Sequence, residues 1–154
     1  MENDRRSEDE IRSEREERQE DDILCEAVPG AILLTGNAGG GKLFMRAEET
    51  GRDWTVIVTG GAAPHIGCAV LAVPRESLRG DGKRSSTTSV LNVTGHKDEE
   101  ICRYAAERLA AATGRIVVCT GGVHIEGITK DQIDGIRDMA AEMTERLVRA
   151  AVMK

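Results

Sequence analysis

Aromatic side chains are nearly absent from this 154-residue sequence: Phe44, Trp54 and Tyr104 make up 2% of it. So few rings exclude a base-stacking platform, and no basic stripe stands in for one, so no nucleic-acid partner is expected. The four cysteines contain no C-x-x-C pair, and Cys68 and Cys119 sit inside apolar strand patterns, where a reduced thiol behaves as a small hydrophobe. No apolar run approaches the roughly 20 residues of a membrane helix. The start carries no apolar signal core, so no membrane association is expected and the expected location is cytoplasmic.

Charge is unevenly spread. Of 27 acidic and 21 basic side chains, 11 and 5 fall within residues 1–22, leaving 16 against 16 elsewhere, so the formal net charge of −6 belongs to that first segment. With almost nothing apolar besides Met1 and Ile11, residues 1–22 cannot offset their ordering entropy by burial. They read as an acidic tail, either disordered or an exposed helix held by Arg–Glu pairs four residues apart. The rest suffices for one domain. Within it, G-N-A-G-G-G-K-L at residues 36–43 has the glycines and lysine of a phosphate-binding P-loop. Leu43, however, stands where Ser or Thr must hold Mg²⁺, the helix that should follow is brief, and no later strand ends in an aspartate. Residues 23–42 therefore read as a glycine-rich linker, hairpin or extra strand ahead of an α+β domain over residues 43–154.

Apolar patterning predicts strands at residues 43–49 and 54–59, joined around residues 50–53. A third follows at residues 66–73, then a polar loop at 74–86 and a fourth strand at 90–93. Ile101, Tyr104, Ala105, Leu109 and Ala112 recur at helical spacing across residues 96–113. Asp98, Glu99 and Glu100 lie near the positive end of that helix dipole, and Gly114 is the stop. A fifth strand at residues 115–119 precedes a last helix, opened by a Thr129/Gln132 capping box and burying Ile133, Ile136, Met139, Met143 and Leu147. The expectation is a single α+β domain, a mainly antiparallel sheet of five or six strands with two helices on one face.

The remaining signal is a repeat. T-G-G-A-A-P-H-I-G at residues 59–67 returns in shorter form as T-G-G-V-H-I-E-G at residues 120–127. Each follows an apolar, β-branched run, so each reads as a strand that ends in two glycines and then presents a histidine. His96 lies in T-G-H-K-D, so all three histidines are close to glycine at an element boundary. Glycine pairs let backbone N–H groups converge on a ligand, and imidazole offers a donor, an acceptor or a metal nitrogen. A zinc site of His65, His96 and His124 lacks a carboxylate or cysteine at tight ligand spacing. General acid–base catalysis lacks a nucleophile motif such as G-x-S-x-G. Binding a phosphorylated cofactor uses all the parts, with Thr59, Thr120 and Ser89 as added hydroxyls, and is the favoured reading. The loop with Arg75, Arg79, Lys83 and Arg84, leading into S-S-T-T-S, is either a further phosphate receiver or a solvated mobile loop.

In order, V-T-G-G-A-A-P-H-I-G, T-G-H-K-D-E-E and T-G-G-V-H-I-E-G-I-T-K-D-Q-I, followed by a long helix, resemble the prenylated-flavin chaperone family, the small D component of gallate-type aromatic-acid decarboxylases. The likeness runs from about Gly41 to Lys154. It implies a fold similar to proteasome assembly chaperones and a homodimer. It also implies a non-catalytic partner that binds prenylated FMN, or FMN, and hands it to a UbiD-type decarboxylase. By motif position, the resemblance places cofactor binding at Gly60, Gly61, Pro64, His65, Gly67, Gly95, His96, Gly121, Gly122, His124, Gly127 and Thr129, with no catalytic residue. Given so few aromatics, stacking on the isoalloxazine falls to Ile66, Ile125 or methionine side chains. The alternative of a different class is an assembly chaperone or interaction module without cofactor, whose glycines serve turns and whose histidines cap them. A histidine-ligated metal-dependent enzyme is the third reading.

Overall fold

The computed structural model describes residues 23–95 and 98–154; the acidic segment at 1–22 and His96 lie outside the described residues. In chain order the elements are β1 (Ile23–Val28), β2 (Ala31–Ala38), β3 (Gly41–Thr50), β4 (Asp53–Gly61), β5 (Cys68–Glu76), β6 (Arg84–Asn92), α1 (Glu99–Thr113), β7 (Val117–His124) and α2 (Lys130–Val152). The strands form one sheet in the order β1-β2-β3-β4-β7-β5-β6. Every junction is antiparallel except that of β4 with β7, which is parallel.

Period-two alternation builds the first layer. In β3, Leu43, Met45 and Ala47 are buried while Lys42, Phe44 and Arg46 are exposed; in β4, Trp54, Val56 and Val58 turn inward. The inward set meets Cys102, Ala105, Ala106, Leu109 and Ala110 of α1 and Ile136, Met139, Ala140, Met143 and Leu147 of α2. Three alanines in the α1 set let that helix approach the sheet closely. α2 starts at the expected box: Gln132 N–H donates to Thr129 Oγ1 at 3.3 Å, and Thr129 N–H to Gln132 Oε1 at 2.8 Å. The domain is therefore α+β with both helices on one sheet face.

Four details differ from the sequence-based expectation, and one of its readings, a hairpin at the glycines of the P-loop look-alike, is what forms there. The described sheet has seven strands rather than five or six, because residues 23–38 pair as β1 and β2. The glycines of the P-loop look-alike close the β2–β3 hairpin: Gly39 and Gly40 have φ of +61° and +84°, the two positive values that a tight two-residue turn demands. β5 continues through Pro74, because β7 pairs only as far as Ala72 and no neighbour on that side needs the missing N–H. β6 already begins at Arg84, so the hydroxyl run forms an edge strand and the turn is confined to residues 77–83. Finally, Tyr104 and Ile133 are 39% and 37% exposed. Tyr104 instead donates its hydroxyl to Glu145 Oε1 at 3.0 Å, beside a bidentate Arg108–Glu145 pair that ties α1 to α2.

One topological feature positions the site. β7 is inserted between β4 and β5, so the chain leaving Gly61 must cross over the C-terminal end of β7 to enter β5 at Cys68. Residues 62–67 form that arch. Among the described residues no helix is long and apolar enough to cross a membrane.

Candidate functional site

The parallel pairing aligns Thr59, Gly60 and Gly61 with Gly122, Val123 and His124. The two T-G-G motifs thus lie side by side, displaced by two residues. Gly121 (φ +150°) is the tightest point, since a Cβ there would lie 1.7 Å from the Val58 carbonyl oxygen. Gly61 (φ +75°) is equally constrained, its Cβ position falling 2.0 Å from the His124 carbonyl oxygen. Nearby donors hold the arch down: Ala62 N–H donates to His124 O at 2.9 Å and Gly67 N–H to Gly121 O at 2.8 Å. These glycines serve close backbone approach, and the neighbouring N–H groups are committed within the chain.

The arch folds His65 back onto Gly122, whose Cβ position would lie 2.6 Å from His65 Nε2. His65 Nε2 is 3.2 Å from Asp98 Oδ2, and Nδ1 is 3.1 Å from the Ala63 carbonyl oxygen. Asp98 Oδ1 accepts the Val123 N–H at 2.9 Å. Asp98 is the N-cap of α1 but makes no side-chain cap bond; its carboxylate points into the site, with a side chain only 11% exposed. Gly67 vacates the space it needs, since a Cβ there would fall 1.9 Å from Asp98 Oδ2. Sequence reasoning assigned Asp98 only a helix-dipole role. The signal for its position is the pair Gly67 and Gly122, which make room for Asp98 and His65 respectively.

The rings of His65 and His124 lie 6.3 Å apart at 74°, so the structure brings those two histidines together; His96 lies outside the described residues. Register adds a residue that the sequence did not single out. Phe44 pairs with Thr59, and Thr59 with Gly122, so Phe44, Thr59 and the His65-covered Gly122 form one row on the sheet face opposite the helices. Phe44 is 45% exposed. Pro64 is exposed in the arch, and Gly60 packs under the Lys42 carbonyl oxygen. Gly95 sits in an exposed turn ahead of α1, while Gly127 and Thr129 form the approach and cap of α2. Of the expected hydroxyls, Thr120 Oγ1 donates to Cys68 O at 2.8 Å. Ser89 lies in the body of β6 opposite Leu71, away from the arch.

Next to the arch, Cys68 pairs with Gly121 and Cys119 with Val70. Both cysteines are buried, with Cys102 of α1 as a third. Burial, then the neighbouring Cys102, pushes the Cys68 thiol up to about 12. The Cys102 thiol is driven higher still by its hydrogen bond to Cys119 and by burial. Cys68 and Cys102 therefore stay protonated at neutral pH, unlike the thiolates that attack electrophiles or bind metals. Among the described residues, no group of three or more His, Cys, Asp or Glu is arranged to hold a metal ion.

Residues 37–151 match the family described as the prenylated flavin chaperone LpdD-like domain, and the chain belongs to that family. Protein LpdD of Lactiplantibacillus plantarum is 29% identical over 115 residues, spanning 75% of this chain and 81% of that protein. A chain in the crystal structure of a chaperone complex for yeast 20S proteasome assembly aligns with a TM-score of 0.49 at 11% identity, covering 84% of this chain and 98% of that one. β1 and most of β2 precede the family-matched residues.

The thiols give a prediction on the alkaline side. Below the ordinary thiol value of 9.0, Cys68 is protonated in both folded and unfolded chains, and its full contribution to stability is present. Between 9.0 and about 12 the unfolded chain loses a proton that the folded chain keeps, so unfolding free energy falls as pH rises. Urea titrations should show this decline above pH 9, and iodoacetamide should label native protein at the exposed Cys25 alone. Rapid native labelling of Cys68 or Cys102 would contradict the burial argument.

Proposed function

We propose that this chain is a non-catalytic accessory protein that binds prenylated FMN at the glycine–histidine end of its open sheet face and supports delivery of that cofactor to a UbiD-type aromatic-acid decarboxylase. Family membership supports the cofactor class. The observation that carries the location is the row of Phe44, Thr59 and Gly122 with His65 seated on it and His124 beside it. The residues present fit an anionic aromatic ligand: Phe44 supplies an exposed ring, and Thr59 and the exposed His124 imidazole supply polar contacts. Lys42, exposed at the start of β3 beside the Leu43–Gly60 pair, supplies a cation. When bound, the flavin supplies the electron-accepting ring system. The chain's own residues bind and shield it: the Asp98 carboxylate and the Ala63 carbonyl face the two His65 ring nitrogens as acceptors, so the nitrogen that carries the proton is held within the chain, which pre-organises that side of the site. Protonated core thiols support an accessory role over a catalytic one.

Anaerobic titration with prenylated FMN tests this reading. Wild type should retain the cofactor at micromolar protein. His124→Ala, which alters an exposed side chain, should keep the fold by circular dichroism and weaken retention about tenfold, the scale of a lost hydrogen bond to a charged group. Absence of any spectral change in wild type would remove the cofactor from the account, and unchanged retention by the variant would remove His124 from the site.

A second reading concerns the same face. Ile57, Leu71, Leu91 and Val118 are 40%, 41%, 77% and 39% exposed on the side opposite the helices, and Leu71 pairs with Val118 across β5 and β7. A contiguous apolar surface of this kind favours burial against another chain, and we infer a homodimer formed through it. Light scattering should give twice the chain mass for wild type and the single-chain mass for an Ile57→Asp/Leu71→Asp variant. A monomeric wild type at tens of micromolar would rule out the homodimer.

A further inference from the structure

The β5–β6 hairpin lies at the pole of the sheet opposite the arch, next to the C-terminal end of α1. Among the described residues, most arginines contact a carboxylate: Arg46, Arg52, Arg103, Arg108, Arg115, Arg137, Arg146 and Arg149 all do so. Arg75, Arg79 and Arg84, the three that make no such contact, all belong to this hairpin, and Lys83 stands with them. The two hairpin acids do not compensate. Asp81 Oδ1 is turned into the loop to accept the Lys83 backbone N–H at 3.0 Å, and Glu76, directly across from Arg84 in the register, makes no ion pair with it and is the one carboxylate beside Arg75, Lys83 and Arg84.

The hairpin also forms one wall of a cavity of about 530 Å³, bounded by Arg75, Glu76, Lys83 and Arg84 and, on the other side, by Thr113 and Gly114. Its two arginines are partly anchored, which reduces the entropy lost on binding. Arg75 Nε donates to Thr87 Oγ1 at 2.7 Å and its Nη1 to the Glu76 carbonyl at 2.9 Å, while Arg84 Nη1 lies 3.5 Å from the Ala112 carbonyl oxygen. The terminal Nη2 groups remain for another acceptor. Like charges gathered on one short hairpin repel one another, and a bound oxyanion relieves that repulsion. Guanidinium groups match phosphate oxygens in particular. The walls carry no aromatic ring, so recognition rests on charge, and the volume suits a small molecule.

We propose that this cavity is a second binding site, for the phosphate group of a small polar phosphate ester. The site is independent of the flavin reading and lies far from the glycine–histidine loops.

The test is a ¹⁵N–¹H NMR titration of the full chain with inorganic phosphate, with sodium chloride adjusted to hold ionic strength constant. Saturable shifts are expected at residues 75–84 and 113–114. Lys83→Gln, whose ammonium bonds to no other described residue, and Lys83→Gln/Arg84→Gln should weaken binding progressively, by about tenfold or more for the pair. A parallel titration with a poly-glutamate peptide separates small oxyanion from acidic segment. No saturable shift with phosphate, equal binding by the double variant, or shifts produced by the peptide alone would each overturn the proposal.

Discussion

The parallel contact between β4 and β7 is the constraint on which the rest depends. Two strands that both carry Thr-Gly-Gly run side by side in the same direction, ending β4 and lying two residues short of the end of β7, and Gly121 lets the Val58 backbone approach to a distance that no other residue permits. With β7 inserted beside β4, β5 must be reached by an arch over the strand end. That arch turns a histidine of one motif onto a glycine of the other. The repeat in the sequence is therefore a packing requirement.

Asp98 joins the helical layer to this arrangement. By accepting the Val123 N–H and facing His65 Nε2, it ties α1, β7 and the arch into one unit. Cys68 and Cys102, buried in the core, are held neutral, while the other face of the sheet lies open. That face carries Phe44 and the apolar residues around Ile57 and Leu71. The proposed ligand site at its end and the proposed dimer surface across its middle occupy different parts of it.

Much of this was legible in the sequence. The helices announced themselves through spacing and through the Thr129/Gln132 box, and the two T-G-G motifs marked the strands that prove to be neighbours. What was hidden depends on pairing. β1 and β2 have short, mixed sequences, readable as linker, hairpin or one extra strand, and are two strands because each pairs antiparallel alongside β3 or its neighbour. The hydroxyl-rich β6 looks like a loop because an edge strand is half solvated. Phe44 became a candidate only when register placed it opposite Thr59, and Asp98 only when the arch brought His65 onto it. Strand order cannot be read from hydrophobic periodicity, and both residues owe their roles to strand order.

The proposed function locates prenylated FMN at the glycine–histidine end of the open face. Hydrogen–deuterium exchange of the full chain with and without prenylated FMN, under anaerobic conditions, tests it most directly. The account predicts added protection in residues 59–67 and 120–129 and in the segment of β3 containing Phe44, with the β5–β6 hairpin unchanged. Protection confined to the hairpin or to the two helices, or no added protection at all, would rule that location out.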